Sequence, residues 1–437
     1  MTKRIEFRYA ISAILIVVSA PAGAADGFAT APINYRDSVP ENCISRLQSG
    51  LDSGAKKLTY DADYGYLKSV LTSLSVPVES QMLVFSKTSL QRRRISPRTP
   101  RALYFNDDVY IGYCQAGEVL EVSAVDPELG TVFYTLEQKQ SDAPQFERRI
   151  DKCVICHSSS RTGGVPGHVV RSLFVDAKGQ PQFSAGSRNV DHRTPIKDRW
   201  GGWYVTGTHG SQTHVGNLTI STNRLAERSD NSQGHNIEDL SDRFRVDKYL
   251  TPHSDIVALM VMEHQTLVHN RLTNAEFTTR KALYHEQTLN DSLGNDPGTR
   301  LESTTQRIHT AGDTLVEALL LADEAALSGR IRGTSEYANQ FAESGRRDAM
   351  GRSLRDLELN TRLFQYPCSY LIYSEAFDSL PGEMRTYVWQ QLWDVLTGEE
   401  TTEKFAHLSS ADRAAIVEII RGTKNGLPEY WTTGPTP

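Results

Sequence analysis

About a third of the way along, the chain reads Cys153-Val154-Ile155-Cys156-His157. This C-x-x-C-H spacing restricts both local fold and chemistry. It is the attachment signature of a c-type haem. Each thiol can join one vinyl group of the macrocycle, and the adjoining imidazole then serves as proximal iron ligand. Two other chemistries use paired cysteines. A structural zinc needs a second pair of ligands at similar spacing, and no other C-x-x-C is present. A thioredoxin-like redox pair ends a buried strand in a βαβ unit. Here the motif follows Phe146–Lys152, a charged segment that reads as a short helix. One haem c is therefore the expected cofactor, with Cys153 and Cys156 as its attachment points and His157 as its iron ligand.

The start of the chain bears on where such a group is attached. Lys3, Arg4 and Arg8 precede the uncharged run Ala10–Ala20, and Pro21-Ala22-Gly23-Ala24 places small residues at −3 and −1 before Ala25. Residues 1–24 thus read as a secretory signal peptide, too short for a comfortable membrane span. No later run of eighteen apolar residues occurs, so the expected location is the periplasm, in soluble form. Cleavage would move the formal charge from −6 to −8. That balance argues against nucleic acid as a partner and gives no attraction to an anionic membrane surface. Cys43, Cys114 and Cys368 lie outside the motif. In an oxidising compartment one pair can bridge, and Cys43 with Cys114 is the favoured pairing because both lie in the N-terminal part.

The pattern along the chain is that of an α+β protein. Tyr64, Leu67, Val70, Leu71 and Leu74 recur at helical spacing, and Met82–Phe85 reads as a short buried strand. Residues 102–137 hold aromatic and β-branched runs separated by Asn, Asp, Pro and Gly, an antiparallel β-meander. A basic loop, Arg92–Arg101, precedes it; it reads as a solvated loop or as a source of cationic partners for haem propionates. After the motif comes a Gly/Pro loop in which Pro166 is positioned to orient the imidazole through its carbonyl. A hairpin is expected across 169–184 and another near Trp203–Gly207. Trp200 and Trp203 suit haem packing or an ordinary core equally. Residues 229–235 read as a linker. Beyond it, Thr251-Pro252 suggests the start of a helix to about Leu272, and helices are expected over 280–289, 304–328, 351–364, 383–396 and 410–421. The expected organisation is therefore a signal peptide (1–24), an N-terminal α+β unit (25–140), a c-type haem segment (141–227) and a C-terminal α-helical unit (236–437).

A haem with one protein ligand is open to small molecules, and one with two mainly carries electrons. Candidates for the second ligand fall in two places. In the apolar helix from Asp255, Met260 and His264 share one face and Met262 and His269 another. In the loop 207–214, His209 and His214 are flanked by glycine. His168 is too near the motif to leave the proximal side. His214 and His264 rank first, against the plainer reading that each is a hydrogen-bonded structural histidine.

Cys153–His157 with its Gly/Pro loop resembles the cytochrome c domain superfamily. Further segments, Ser96–Asp108, Trp200–Tyr204, and Glu263-His264-Gln265 with His269-Asn270, are similar to exported bacterial mono-haem proteins that carry such a domain. The resemblance implies haem binding and electron transfer. The chain departs from a small class I cytochrome c in its length, in the strands ahead of the motif and in lacking a Met-bearing ligand loop. The first expectation is a periplasmic mono-haem cytochrome that exchanges electrons with a partner protein or a small oxidant. The alternative is a haem oxidoreductase of peroxidase or oxygenase type, with Glu263, His264 and His269 as the acid/base types required. A haem-based sensor is third, since no signalling module is appended.

Overall fold

Strands with aromatic and β-branched residues on both faces pack only where both faces are covered, and the meander meets that demand. In the computed structural model, which describes residues 27–220 and 231–434, six strands form one antiparallel sheet in sequence order. They are β1 (Met82–Val84), β2 (Arg101–Phe105), β3 (Val109–Tyr113), β4 (Val119–Asp126), β5 (Gly130–Glu137) and β6 (Phe146–Arg148). The expected signal peptide and residues 221–230 lie outside the described residues. Along β4, Leu120, Val122 and Ala124 are buried while Val119, Glu121, Ser123 and Val125 are only partly covered. The buried set shares a core with Ile44 and Leu47 of α1 (Cys43–Asp52) and with Leu67, Val70 and Leu71 of α2 (Leu67–Ser73).

The opposite face of the sheet carries Phe105 and Tyr110, which belong to a second core built around α4 (Ile256–Leu293). That helix has 38 residues and is about 57 Å long. It joins what the periodicity divided into two helices. Thr273 and Thr279 do not interrupt it, because each hydroxyl bonds the carbonyl four residues back, at 3.0 and 2.7 Å. Ala275, Phe277 and Ala282 continue its buried stripe. Its N-cap is Asp255, four residues later than Thr251.

Shorter elements complete the fold: α3 (Lys152–His157), a ribbon of β7 (Arg171–Leu173) and β8 (Ser187–Asn189), then α5 (Glu302–Leu319), α6 (Tyr337–Glu343), α7 (Glu375–Asp378), α8 (Gly382–Thr397), α9 (Ser410–Thr423) and α10 (Glu429–Thr433). Several expectations need correction. Phe146–Arg148 is a strand paired with β5, so the sheet continues past residue 140, where a unit boundary was expected. The expected hairpin around Ala177–Gly179 forms in short form, with a Val175–Pro181 bridge and the amides of Asp176 and Gln182 donating to the carbonyls of Gln180 and Phe174, while β7 pairs beyond it with β8. Trp203 bridges to Val84, not to a hairpin partner. The helix expected over 304–328 stops at Leu319, where Leu321 and Asp323 take positive φ and Ser369 donates to the Leu319 carbonyl. Residues 351–364 form no helix: the Glu358 carboxylate accepts the amides of Asn360, Thr361 and Arg362, and Leu357 bridges to Phe364. Cys43 and Cys114 are free thiols, as is Cys368. Trp200 and Trp203 are core residues. Among the described residues no helix is long and apolar enough to cross a membrane.

Asp255 does more than start α4. Its buried carboxylate accepts from the amides of Val257 and Ala258 and, across the fold, from the amides of Thr334 and Ser335 and the Ser335 hydroxyl. Asp255→Ala should lower unfolding free energy by about 2–3 kcal/mol, the loss of a cap plus stranded buried donors. Urea denaturation with an unchanged midpoint would refute this.

Candidate functional site

The motif hangs from the sheet edge. β6 leads into α3, whose Val154 is buried against the core that holds the first helices, while Ile155 stands 71% exposed. Cys153 is partly covered and Cys156 exposed. Three positions apart on one short helix, the two thiols lie on neighbouring sites of its surface. Burial pushes the Cys153 thiol up, and Glu121 adds to the effect.

His157 is fixed by the loop that follows. Its Nδ1 lies 3.0 Å from the Gly167 carbonyl oxygen, and the Gly167 amide donates to the His157 carbonyl at 2.8 Å. The ring packs on Phe133 of β5, with centroids 4.9 Å apart. A carbonyl only accepts, so Nδ1 carries the proton and Nε2 keeps its lone pair. Nε2 makes no hydrogen bond within the described residues. Burial lowers the pKa of this imidazole, partly opposed by the Gly167 carbonyl.

Three successive carbonyls hold the loop in place. Pro166 accepts the Thr131 amide of β5 at 3.2 Å, Gly167 takes His157, and His168 accepts from Asn270 of α4 at 2.8 Å. Asn270 also receives the His168 amide at 2.9 Å, a two-point clasp on the backbone of one residue. Pro166, the carbonyl expected to orient the imidazole, is thus engaged elsewhere, and its neighbour does that work. Residue 167 must be glycine for the clasp to close: a Cβ there would come within 2.2 Å of the Asn270 side-chain oxygen. Nothing in the sequence singled out Asn270 beyond its being polar in an apolar helix.

Of the basic segment 92–101, Arg101 has come closest to the motif electrostatically, acting on both Cys153 and His157. Its guanidinium lies across Gly112 and pairs with Glu121 at 2.6 Å. Thiols, an imidazole with a free Nε2 and a nearby guanidinium fit a covalently attached haem with a cationic neighbour.

The histidines ranked for the opposite side of the iron are placed otherwise. Buried His214 accepts the Gly216 amide at Nδ1, so its other nitrogen is protonated; its ring packs with His209, His235 and Trp200. His264 sits in the core with Nδ1 3.0 Å from His192 and Nε2 2.8 Å from the Ser369 hydroxyl. Beside it Glu263 pairs with Arg199 at 2.8 Å. His168 faces Ser123 and Thr131, and His269 faces Tyr110. None of these rings contacts His157. Nor do the three clustered imidazoles make a metal centre: His209 likewise spends Nε2 on a backbone amide, that of Asn236, and no group of three or more metal-ligand side chains among the described residues is arranged for an ion. No protein-family model, curated protein or solved structure matches the chain.

Two predictions follow from this packing. Asn270→Ala should cost about 1–3 kcal/mol, because the His168 amide and carbonyl lose their partners in a half-buried place; denaturation curves superimposable on the parent would refute it. Stability should also depend on pH. Burial lowers the pKa of His168, His209, His214 and His264, and takes His192 to about 4 and His269 to about 3. Their stabilisation is complete above the unfolded value of about 6.5 and is lost as pH falls through that window. Glu263, Glu276 and Glu324, raised by burial to about 7, and Asp108, raised to about 6, act oppositely, losing stabilisation as pH rises from their unfolded values. With His157, also lowered, the histidines outnumber them, so unfolding takes up net protons between pH 6 and 5 and stability falls. A urea midpoint that rises on acidification across that range would contradict the balance.

Proposed function

We propose that the chain is an exported, periplasmic mono-haem c-type cytochrome that transfers electrons to a partner protein or a small oxidant. Cys153 and Cys156 would hold the haem and His157 would ligate its iron. The observation that carries the reading is the His157–Gly167 pair beside the two thiols. It fixes the tautomer and turns the unprotonated nitrogen away from the loop, which is what a ligating imidazole needs. The haem, once bound, would supply the one-electron couple. The chain's part is to orient the imidazole, place Arg101 and Glu121 within electrostatic reach of Cys153 and His157, and leave Cys156 and Ile155 open at the surface, where a partner can approach.

A second reading draws on the placement of His214 and His264. With both imidazoles engaged elsewhere, neither ranked histidine is placed to fill the sixth position, which favours an open iron as in a haem oxidoreductase or sensor.

Denaturing mass spectrometry of protein produced with haem-attachment machinery tests the first claim. The parent should retain one haem mass, and Cys153→Ser with Cys156→Ser together should abolish it. Parent protein without covalent haem sinks the proposal. Carbon monoxide added to the reduced protein then separates the two readings: an unchanged spectrum supports electron transfer alone, and a ligand-bound spectrum supports the open site.

A further inference from the structure

Beside the motif loop lies an open cleft of about 390 Å³, bordered by Ser160–Gly163, the segment after His168, residues 189–193 and the middle of α4. Its charge is one-sided. Arg161, Arg193 and Arg271 all line it. Arg193 is paired with Asp191 at 2.6 Å. Neither Arg161 nor Arg271 has a side-chain hydrogen bond or ion pair within the described residues. Arg271 is half-buried, and burial followed by repulsion from Arg193 disfavours its charge. The two carboxylates within its electrostatic reach, Asp191 and Glu317, already hold cations of their own, Arg193 and Lys404. Folding has therefore gathered three guanidiniums around one carboxylate in a concave space, an arrangement that attracts and concentrates anions. Val169, Val170 and Leu267 add an apolar wall, and the volume, near the lower end for small-molecule sites, exceeds what an inorganic oxyanion fills.

We propose that this cleft is a binding site for a small organic carboxylate, with Arg161 and Arg271 taking its carboxyl groups and the Val169–Leu267 wall its carbon skeleton. Guanidinium forks suit carboxylates in paired geometry, and the apolar wall favours a carbon chain over phosphate. The same carboxylate chemistry has two possible sources: a free dicarboxylate, or a propionate of a haem held at Cys153 and Cys156. The second source rests on the function proposed above. The first does not. Arg161 sits four residues beyond His157, so occupancy at the cleft adjoins the ligand loop.

Calorimetric titration of the full-length protein with succinate, and separately with inorganic phosphate, tests the site. For a free ligand the expected result is one succinate bound per chain, weakened about tenfold by Arg271→Gln, the loss of one charge-assisted pair. Arg330→Gln, at an exposed position outside the cleft lining, should leave binding unchanged. If succinate does not bind but Arg271→Gln, and not Arg330→Gln, shifts the reduction potential of the haem-bearing protein, the carboxylate is the haem's own. Absence of both effects overturns the proposal. So does phosphate binding as tightly as succinate, or equal weakening by both substitutions. If the protein proves to lack covalent haem, the electron-transfer reading fails while the succinate titration alone still decides the cleft.

Discussion

A neutral imidazole has one proton and two nitrogens, and whichever carbonyl claims the proton decides what the ring can do next. At His157 that claim is made by Gly167, and much of the surrounding architecture serves to keep the Gly167 carbonyl where it is. Its neighbours in sequence are anchored to different elements, Pro166 to β5 and His168 to α4. The sheet and the long helix therefore meet at the loop that orients one side chain. Elsewhere in the molecule the same rule gives the opposite result: at His209 and His214 a backbone amide takes the lone pair, and the ring is left with only a proton to offer.

The sheet positions all of this through its two unlike faces. One is closed by the N-terminal helices and carries a continuous apolar core. The other carries Tyr110, Gly112, Glu121, Ser123 and Phe133, a mixture of ring, gap and polar groups that receives the motif helix, the loop and the middle of α4. Two polar contacts there span long sequence distances, between Tyr110 and His269 and between Ser123 and His168.

What could be read from the residues was the part governed by short-range rules. The C-x-x-C-H spacing, the alternation along Val119–Val125 and the turn at Asp126–Gly130 each lie within a dozen residues, and the strands form where those patterns put them. The C-terminal helices 383–396 and 410–421 were legible for the same reason. The choice of Gly167 over Pro166 was not, because it depends on a proton donor in β5 that competes for the earlier carbonyl. Asn270 was invisible because its partners are 102 residues away. Residues 351–364 misled because Leu354, Leu363 and Phe364 are all buried, as helical spacing implied, but through a turn organised by one carboxylate. The plainer reading of His214 and His264, as structural histidines, describes their surroundings.

The clasp between His168 and Asn270 also bears on the order in which the protein is assembled. Closing a loop of about a hundred residues costs chain entropy before any contact rewards it, and contacts of such separation form slowly. The motif helix and its short loop need only neighbouring residues, so the thiols can be presented on a nearly local structure. The carbonyl that aims the imidazole is secured only once α4 has docked. Presentation of the two thiols and fixing of the His157 ring are thus separable events during folding, the first set by local chain and the second by completion of the tertiary fold.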